Sequence, residues 1–146
     1  MCRFSGSYYN NIKTVKIAEG VTKIGSYAFY GCKALTAVEF PDGLTKIGSN
    51  AFEKAGLSGT LTFPDNLTTL SSYAFLECKA LSGLELNKVV TIGARAFESC
   101  TGLDGRLVIP DSVTSIGNYA FEDCNKLGKS NDGTIVLGRG LKEIGY

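Results

Sequence analysis

Hydrophobic positions recur along this chain in one fixed order. An aliphatic residue is followed five positions later by a phenylalanine that has alanine before it, then by a small residue, then by a short alternating run. The aliphatic positions are Ile24, Ile47, Leu70, Ile92 and Ile116, and the pairs are Ala28-Phe29, Ala51-Phe52, Ala74-Phe75, Ala96-Phe97 and Ala120-Phe121. Successive phenylalanines lie 23, 23, 22 and 24 residues apart. Three residues after each comes Cys32, Ala55, Cys78, Cys100 or Cys124, small enough for a tight interior slot. The alternating run reads L-x-x-V/L-x-F/L, as in Leu35, Val38 and Phe40 or Leu81, Leu84 and Leu86, and its period of two is that of a strand with one buried face. Each copy therefore predicts two extended pieces, around Val38 and around Ile24. Between them a short helical or 3-10 turn is expected at Ser26 to Cys32, a span too brief for a long helix.

A fixed period between 20 and 29 residues with an L-x-x-L-x-L strand is the pattern of a leucine-rich repeat solenoid, in which each coil buries its apolar face only against its neighbours. The expected fold is an α/β but β-rich solenoid of about five coils of 22–24 residues, with the helical turns on the convex side. One domain spans residues 1–146. Residues 1–20 form an N-terminal cap and a partial repeat, residues 21–127 the repeats, and residues 128–146 an insertion turn and a truncated last repeat. The phenylalanines should stack at the coil spacing, with strands repeating at about 4.8 Å. Outward strand positions, Thr14 and Lys16, Ala37 and Glu39, Thr60 and Thr62, Gly83 and Glu85, Arg106 and Val108, Thr134 and Val136, make up the concave face. The candidate binding residues on it are Lys16, Glu39, Thr60, Thr62, Glu85, Arg106 and Val108. In the third copy Asn87-Lys88 stands where others carry Pro-Asp, so the backbone is expected to run differently there.

Ile24, Gly25, Ala28, Phe29, Cys32, Leu35, Val38, Phe40, Pro41 and Leu44 together resemble the repeat of the BspA-like leucine-rich repeat family, found on bacterial and protist surfaces. The resemblance covers the chain from about Ile12 to Gly145. It implies an adhesive or interaction protein of the extracellular space or cell surface, although the opening residues lack the apolar h-region of a secretory signal. A protein or glycan ligand is expected, and a cofactor is not.

Composition narrows the chemistry. The formal net charge is +1, so no excess of either sign points to nucleic acid, and no apolar run is long enough for membrane insertion. Histidine is absent, which removes Ser-His-Asp, Cys-His and HExxH mechanisms together. No phosphate-cradling glycine motif occurs. Glu39 and Glu85 share a column about 10 Å apart by strand spacing, but Thr62 between them offers no pocket, and solvated surface charges are the expected reading. The chain is expected not to be an enzyme. Cys32, Cys78, Cys100 and Cys124 occupy one register without the spacing of a metal site, so buried free thiols are expected, with Cys2 apart and exposed. Tyr27, Tyr73 and Tyr119 precede Ala in alternate copies, and Thr22, Thr45, Thr68 and Thr114 form a second polar column. Asn66-Leu67-Thr68 has the form of a glycosylation sequon, but Leu67 is a core position. Finally, Ile12, Val15 and Ile17 at one end and Leu137, Leu141 and Ile144 at the other leave half coils without a neighbour, which makes head-to-tail self-association the alternative expectation.

Overall fold

A computed structural model describes residues 11–129 and 134–146. The expected cap, Cys2 and most of the insertion turn fall outside the described residues. The strands in chain order are β1 (Thr14–Lys16), β2 (Lys23–Ile24), β3 (Ala37–Glu39), β4 (Lys46–Ile47), β5 (Ser58–Thr62), β6 (Thr69–Leu70) and β7 (Ala80–Glu85). They continue with β8 (Thr91–Ile92), β9 (Asp104–Gly105), β10 (Leu107–Val108), β11 (Ser115–Ile116), β12 (Lys126–Leu127), β13 (Ile135–Val136) and β14 (Glu143–Ile144). The two-residue strands at the Ile24 register form a six-stranded parallel sheet in the order β2, β4, β6, β8, β11, β14. In it Ile24, Ile47, Leu70, Ile92, Ile116 and Ile144 align across the coils. On the Val38 side the pairing is interrupted, with β1 on β3, β5 on β7, β9 on β12 and β10 on β13. The second copy, with its inserted Gly-Leu-Ser-Gly, carries a left-handed Gly59 at φ 73°, and the register slips between Gly59 and Thr60.

The Ala-Phe turns are not helical, and no helix occurs among the described residues. The cause is in the backbone. Tyr27, Asn50, Tyr73, Arg95 and Tyr119 have φ of 57–62°, and four residues further Gly31, Lys54, Glu77, Ser99 and Asp123 have φ of 56–70°. A left-handed residue at every fourth position stops a right-handed helix before its first turn closes. It also turns alternate amides toward the next coil. Tyr27, Phe29 and Gly31 donate to the carbonyls of Ser49, Ala51 and Glu53 at 3.0, 2.7 and 2.7 Å, whereas the bonds within the turn are longer, 3.4 Å from Ala28 to Gly25 and 3.3 Å from Tyr30 to Tyr27. The turn thus acts as a third ladder between coils.

Phenylalanine fills the interior as the sequence predicts. Phe29, Phe52, Phe75, Phe97 and Phe121 stack with centroids 5.0, 5.2, 5.3 and 5.4 Å apart and planes within 14°. Phe40 and Phe63 pack edge-on against Phe52 and Phe75. Glycine follows four of the five aliphatic anchors, with Ser71 after Leu70, and within the stack it has a packing reason: a Cβ on Gly93 would lie 2.5 Å from the Ser72 amide nitrogen, and one on Gly117 would lie 2.4 Å from that of Ala94. Gly25, at the start of the array, would meet nothing. Asn87 is left-handed at φ 43° and its amide donates to the Phe63 carbonyl at 2.6 Å, so the backbone does depart where proline is missing.

The small-residue column is a set of thiol hydrogen bonds. Cys78, Cys100 and Cys124 are buried and free, and each Sγ donates to the carbonyl of the phenylalanine one coil earlier: Phe52 (3.1 Å), Phe75 (3.2 Å) and Phe97 (3.1 Å). Cys32 corrects the expectation of four free thiols, because it is disulfide-bonded.

Candidate functional site

The outward strand residues form two columns set by register. Thr14 aligns with Ala37 and Thr60 with Gly83, while Lys16 aligns with Glu39, Thr62 with Glu85 and Val108 with Val136. Neighbouring coils contact each other through side chains in the second column. Lys16 Nζ lies 3.3 Å from Glu39 Oε2, and the Thr62 hydroxyl donates to Glu85 Oε2 at 2.8 Å. Both glutamates therefore serve as exposed acceptors of a neighbouring coil's side chain. Thr60, Arg106 and Val108 are exposed, and Thr134 and Val136 are half-buried.

The expectation that Thr62 offers no pocket is corrected here: beside it this face opens into a cleft of about 530 Å³ lined by Phe40, Asp42, Asp65, Asn66 and Asn87 among others, with neither Glu39 nor Glu85 in its lining. The Asn66 amide donates to the Asp42 carbonyl at 2.9 Å, and Asp65 lies 3.7 Å from Lys88 Nζ. Of this lining, sequence reasoning singled out Thr62 as a candidate binding residue, Asn66 as a sequon, Phe40 as a strand position and Asn87 as a departure from the repeat. The signal for the rest was the repeated Pro-Asp after each strand together with its replacement by Asn87-Lys88, which sets two acidic turns beside a differently shaped one.

Other columns are structural. The Thr45 hydroxyl donates to the Thr22 carbonyl at 2.9 Å and that of Thr68 to Thr45 at 3.4 Å, so the threonine ladder ties coils together. Burial pushes the Cys78 thiol up to about 12 and the Cys124 thiol to about 11, and raises Cys100 further. Such thiols stay protonated and unreactive near neutrality. Among the described residues no group of three or more metal-ligating side chains comes together, and no helix is long and apolar enough to cross a membrane.

On the turns, Tyr27, Tyr73 and Tyr119 are exposed at one register. Arg95 stands between the last two. Its guanidinium carbon is 4.6 Å from the Tyr119 ring centroid, and Nη1 donates to both Glu98 oxygens at 3.0 and 2.8 Å. At the C-terminal coil Ile135, Leu137 and Ile144 are 49%, 51% and 57% exposed, although Leu107, Ile109 and Ile116 at the same registers are buried. Leu141, and at the other end Ile12, Val15 and Ile17, are half-buried against the core.

With five coils stacked through a phenylalanine column, the repeat can be compared with known ones. The BspA type leucine-rich repeat region is matched over residues 4–128, in six copies. The chain belongs to this family. Its solved neighbours include the T. pallidum leucine-rich repeat protein, 28% identical with a TM-score of 0.74 over 91% of this chain and 69% of that one. Another is the pneumococcal vaccine antigen PcpA, 26% identical with a TM-score of 0.64 over 76% of this chain and 28% of that one. No curated protein matches the chain at a significant level. Leucine-rich repeats of this kind are generally binding or structural modules, and the family is typically non-enzymatic.

Proposed function

We propose that this protein is a non-catalytic interaction module that presents its outward strand face to a protein or glycan partner in the extracellular space or at a cell surface. The observation that carries the reading is the exposed face from Lys16 to Val108, where Lys16 pairs with Glu39 and Thr62 with Glu85 across coils and which leads into the cleft at Thr62. Such a surface is accessible and polar, and the sheet backbone beneath it fixes its side chains. The disulfide at Cys32 and the likeness to the pneumococcal antigen support the location, since disulfides persist in oxidising compartments. A glycan array and a panel of extracellular matrix proteins test the binding, with Thr62→Trp and Val108→Glu as variants. Loss of captured ligand in both variants, at unchanged thermal stability, is the expected result. Ligand capture that ignores both changes would count against the strand face.

A second reading, head-to-tail assembly, is favoured by the exposed Ile135, Leu137 and Ile144. The end coils are also opposite in charge at matching registers: Arg139 follows Leu137 as Glu19 follows Ile17, and Glu143 precedes Ile144 as Lys23 precedes Ile24. Parallel stacking of one copy's last coil on another's first would set these pairs side by side, an open contact that propagates. Light scattering over a hundredfold concentration range should show growth that Ile144→Lys abolishes. A monodisperse monomer throughout would dismiss assembly and leave the strand-face reading untouched.

A further inference from the structure

The turn column repeats one arrangement of residues twice, and in one of the two the chain itself supplies a cation at the middle coil. In the first, Tyr73 and Tyr119 stand two coils apart and Arg95 lies between them, with its guanidinium over the Tyr119 ring and its Nη1 on Glu98. In the second, Tyr27 and Tyr73 stand two coils apart with Asn50 between them. Asn50 shares Arg95's left-handed backbone, φ 59° against 57°. It also makes the equivalent bond three residues ahead, its amide donating to Glu53 Oε2 at 2.6 Å. The asparagine side chain ends there in a carboxamide, planar but shorter than the arginine arm and held by Glu53. Two coil steps separate the tyrosines by about 10 Å, which leaves roughly 5 Å on either side of a group at the middle coil. That is the spacing at which Arg95 sits on Tyr119.

We propose that the slot between Tyr27 and Tyr73 is a second docking site, separate from the strand face, and that it takes the guanidinium of an arginine presented by a partner protein. A ring face attracts a cation through its quadrupole, and arginine adds planar stacking that a compact ammonium lacks. The carboxylate at the base of the slot, Glu53, is buried, accepts a hydrogen bond from the Asn50 amide and is already paired with Lys54 Nζ at 3.5 Å. The guest is therefore held by the two ring faces, and selection falls on shape as well as charge. Tyr27 also leans on Tyr30, with centroids 5.8 Å apart, which steadies the outer wall.

The chain has no tryptophan, so tyrosine ring resonances in solution NMR report the site directly. Blocked Gly-Arg-Gly is titrated into the protein, with blocked Gly-Lys-Gly and Gly-Phe-Gly as comparators. The arginine peptide should shift the Tyr27 and Tyr73 rings saturably, more than either comparator does. Tyr73→Ala should weaken it about fivefold or more. Asn50→Arg, which the Arg95 precedent shows the backbone to accept, should fill the slot from within and abolish the response while the fold is kept. No ring shift at tens of millimolar peptide, an equal response to all three peptides, or binding that survives Asn50→Arg would each overturn the proposal. None of these outcomes bears on ligand capture by the strand face.

Discussion

Cys78, Cys100 and Cys124 show how a single side chain type is fixed by its place in the coil. Each thiol is buried and donates to a phenylalanine carbonyl one coil back, and burial holds it neutral. The folded values are raised above the ordinary 9.0, to about 12 for Cys78 and about 11 for Cys124. The unfolded chain therefore releases these protons first as pH rises. The stability they contribute is complete below pH about 9 and is lost between about 9 and 12, at about 1.4 kcal/mol per pH unit for each thiol. Cys78→Ala, which copies Ala55 in the second coil, should lose stability less steeply in urea melts run between pH 8 and 11. Parallel slopes for the two proteins would contradict this. At pH 7 all three thiols should resist alkylation until the chain unfolds. The register of these cysteines was legible because each repeats the same neighbours. The bond at Cys32 was not, because it does not belong to the repeat.

Among the elements, the strands were legible and the turns were not. Alternation at Val38 and the Ile24 column follow from side-chain period, which a sequence displays. The left-handed residues do not, since Tyr27, Arg95, Lys54 and Glu77 are not types that advertise positive φ. Only Gly31, Asn50 and Asp123 hinted at it, and an Ala-Phe pair reads as helix in isolation. A non-glycine residue held there costs about 1 kcal/mol. Ser99→Gly, which gives the fourth copy the residue the first has at Gly31, should therefore raise stability by about 0.5–1 kcal/mol, and Ser99→Val should lower it by more than that. Urea unfolding of the pair checks both signs. The glycine column provides an opposite test. Gly93→Ala forces a Cβ against the Ser72 backbone and should cost about 1–3 kcal/mol, softened by whatever slack admits Ser71 at the same register. Gly25→Ala, which meets no neighbour, should be tolerated. Equal losses would mean that the glycines are needed for turn geometry and not for the close approach of coils. The candidate strand face was half legible: the outward strand residues could be counted off, but the cleft beside Thr62 depends on how three successive Pro-Asp or Asn-Lys turns differ in path.

At the scale of the whole molecule, each coil is held by the coil before it and the coil after it, so stability should vary with position along the stack. Phe75 illustrates the middle. Its ring lies 5.2 Å from Phe52 and 5.3 Å from Phe97, with Phe63 edge-on at 5.6 Å, and it is wholly buried. Phe121 has a stacking partner on one side only among the described residues, Phe97 at 5.4 Å, and is half-buried. Beyond it the β14 strand carries the exposed Ile144. Removing a ring from the middle therefore breaks two stacking contacts and leaves a cavity that β-ladders on every side prevent from collapsing. Near the end, one contact is lost and the opening coil can relax into it. Phe75→Ala should cost about 3–5 kcal/mol and Phe121→Ala clearly less. Equilibrium urea unfolding of both variants measures the difference, and native-state hydrogen exchange locates it. The amides of Gly145 and Tyr119, which bond to Ile116 and Tyr146, should exchange through local opening. Those of Phe52 and Phe75 should exchange only with global unfolding. Equal losses for the two phenylalanines, with uniform protection along the coils, would mean that the stack unfolds as one unit and that its last coil is as firmly held as its centre.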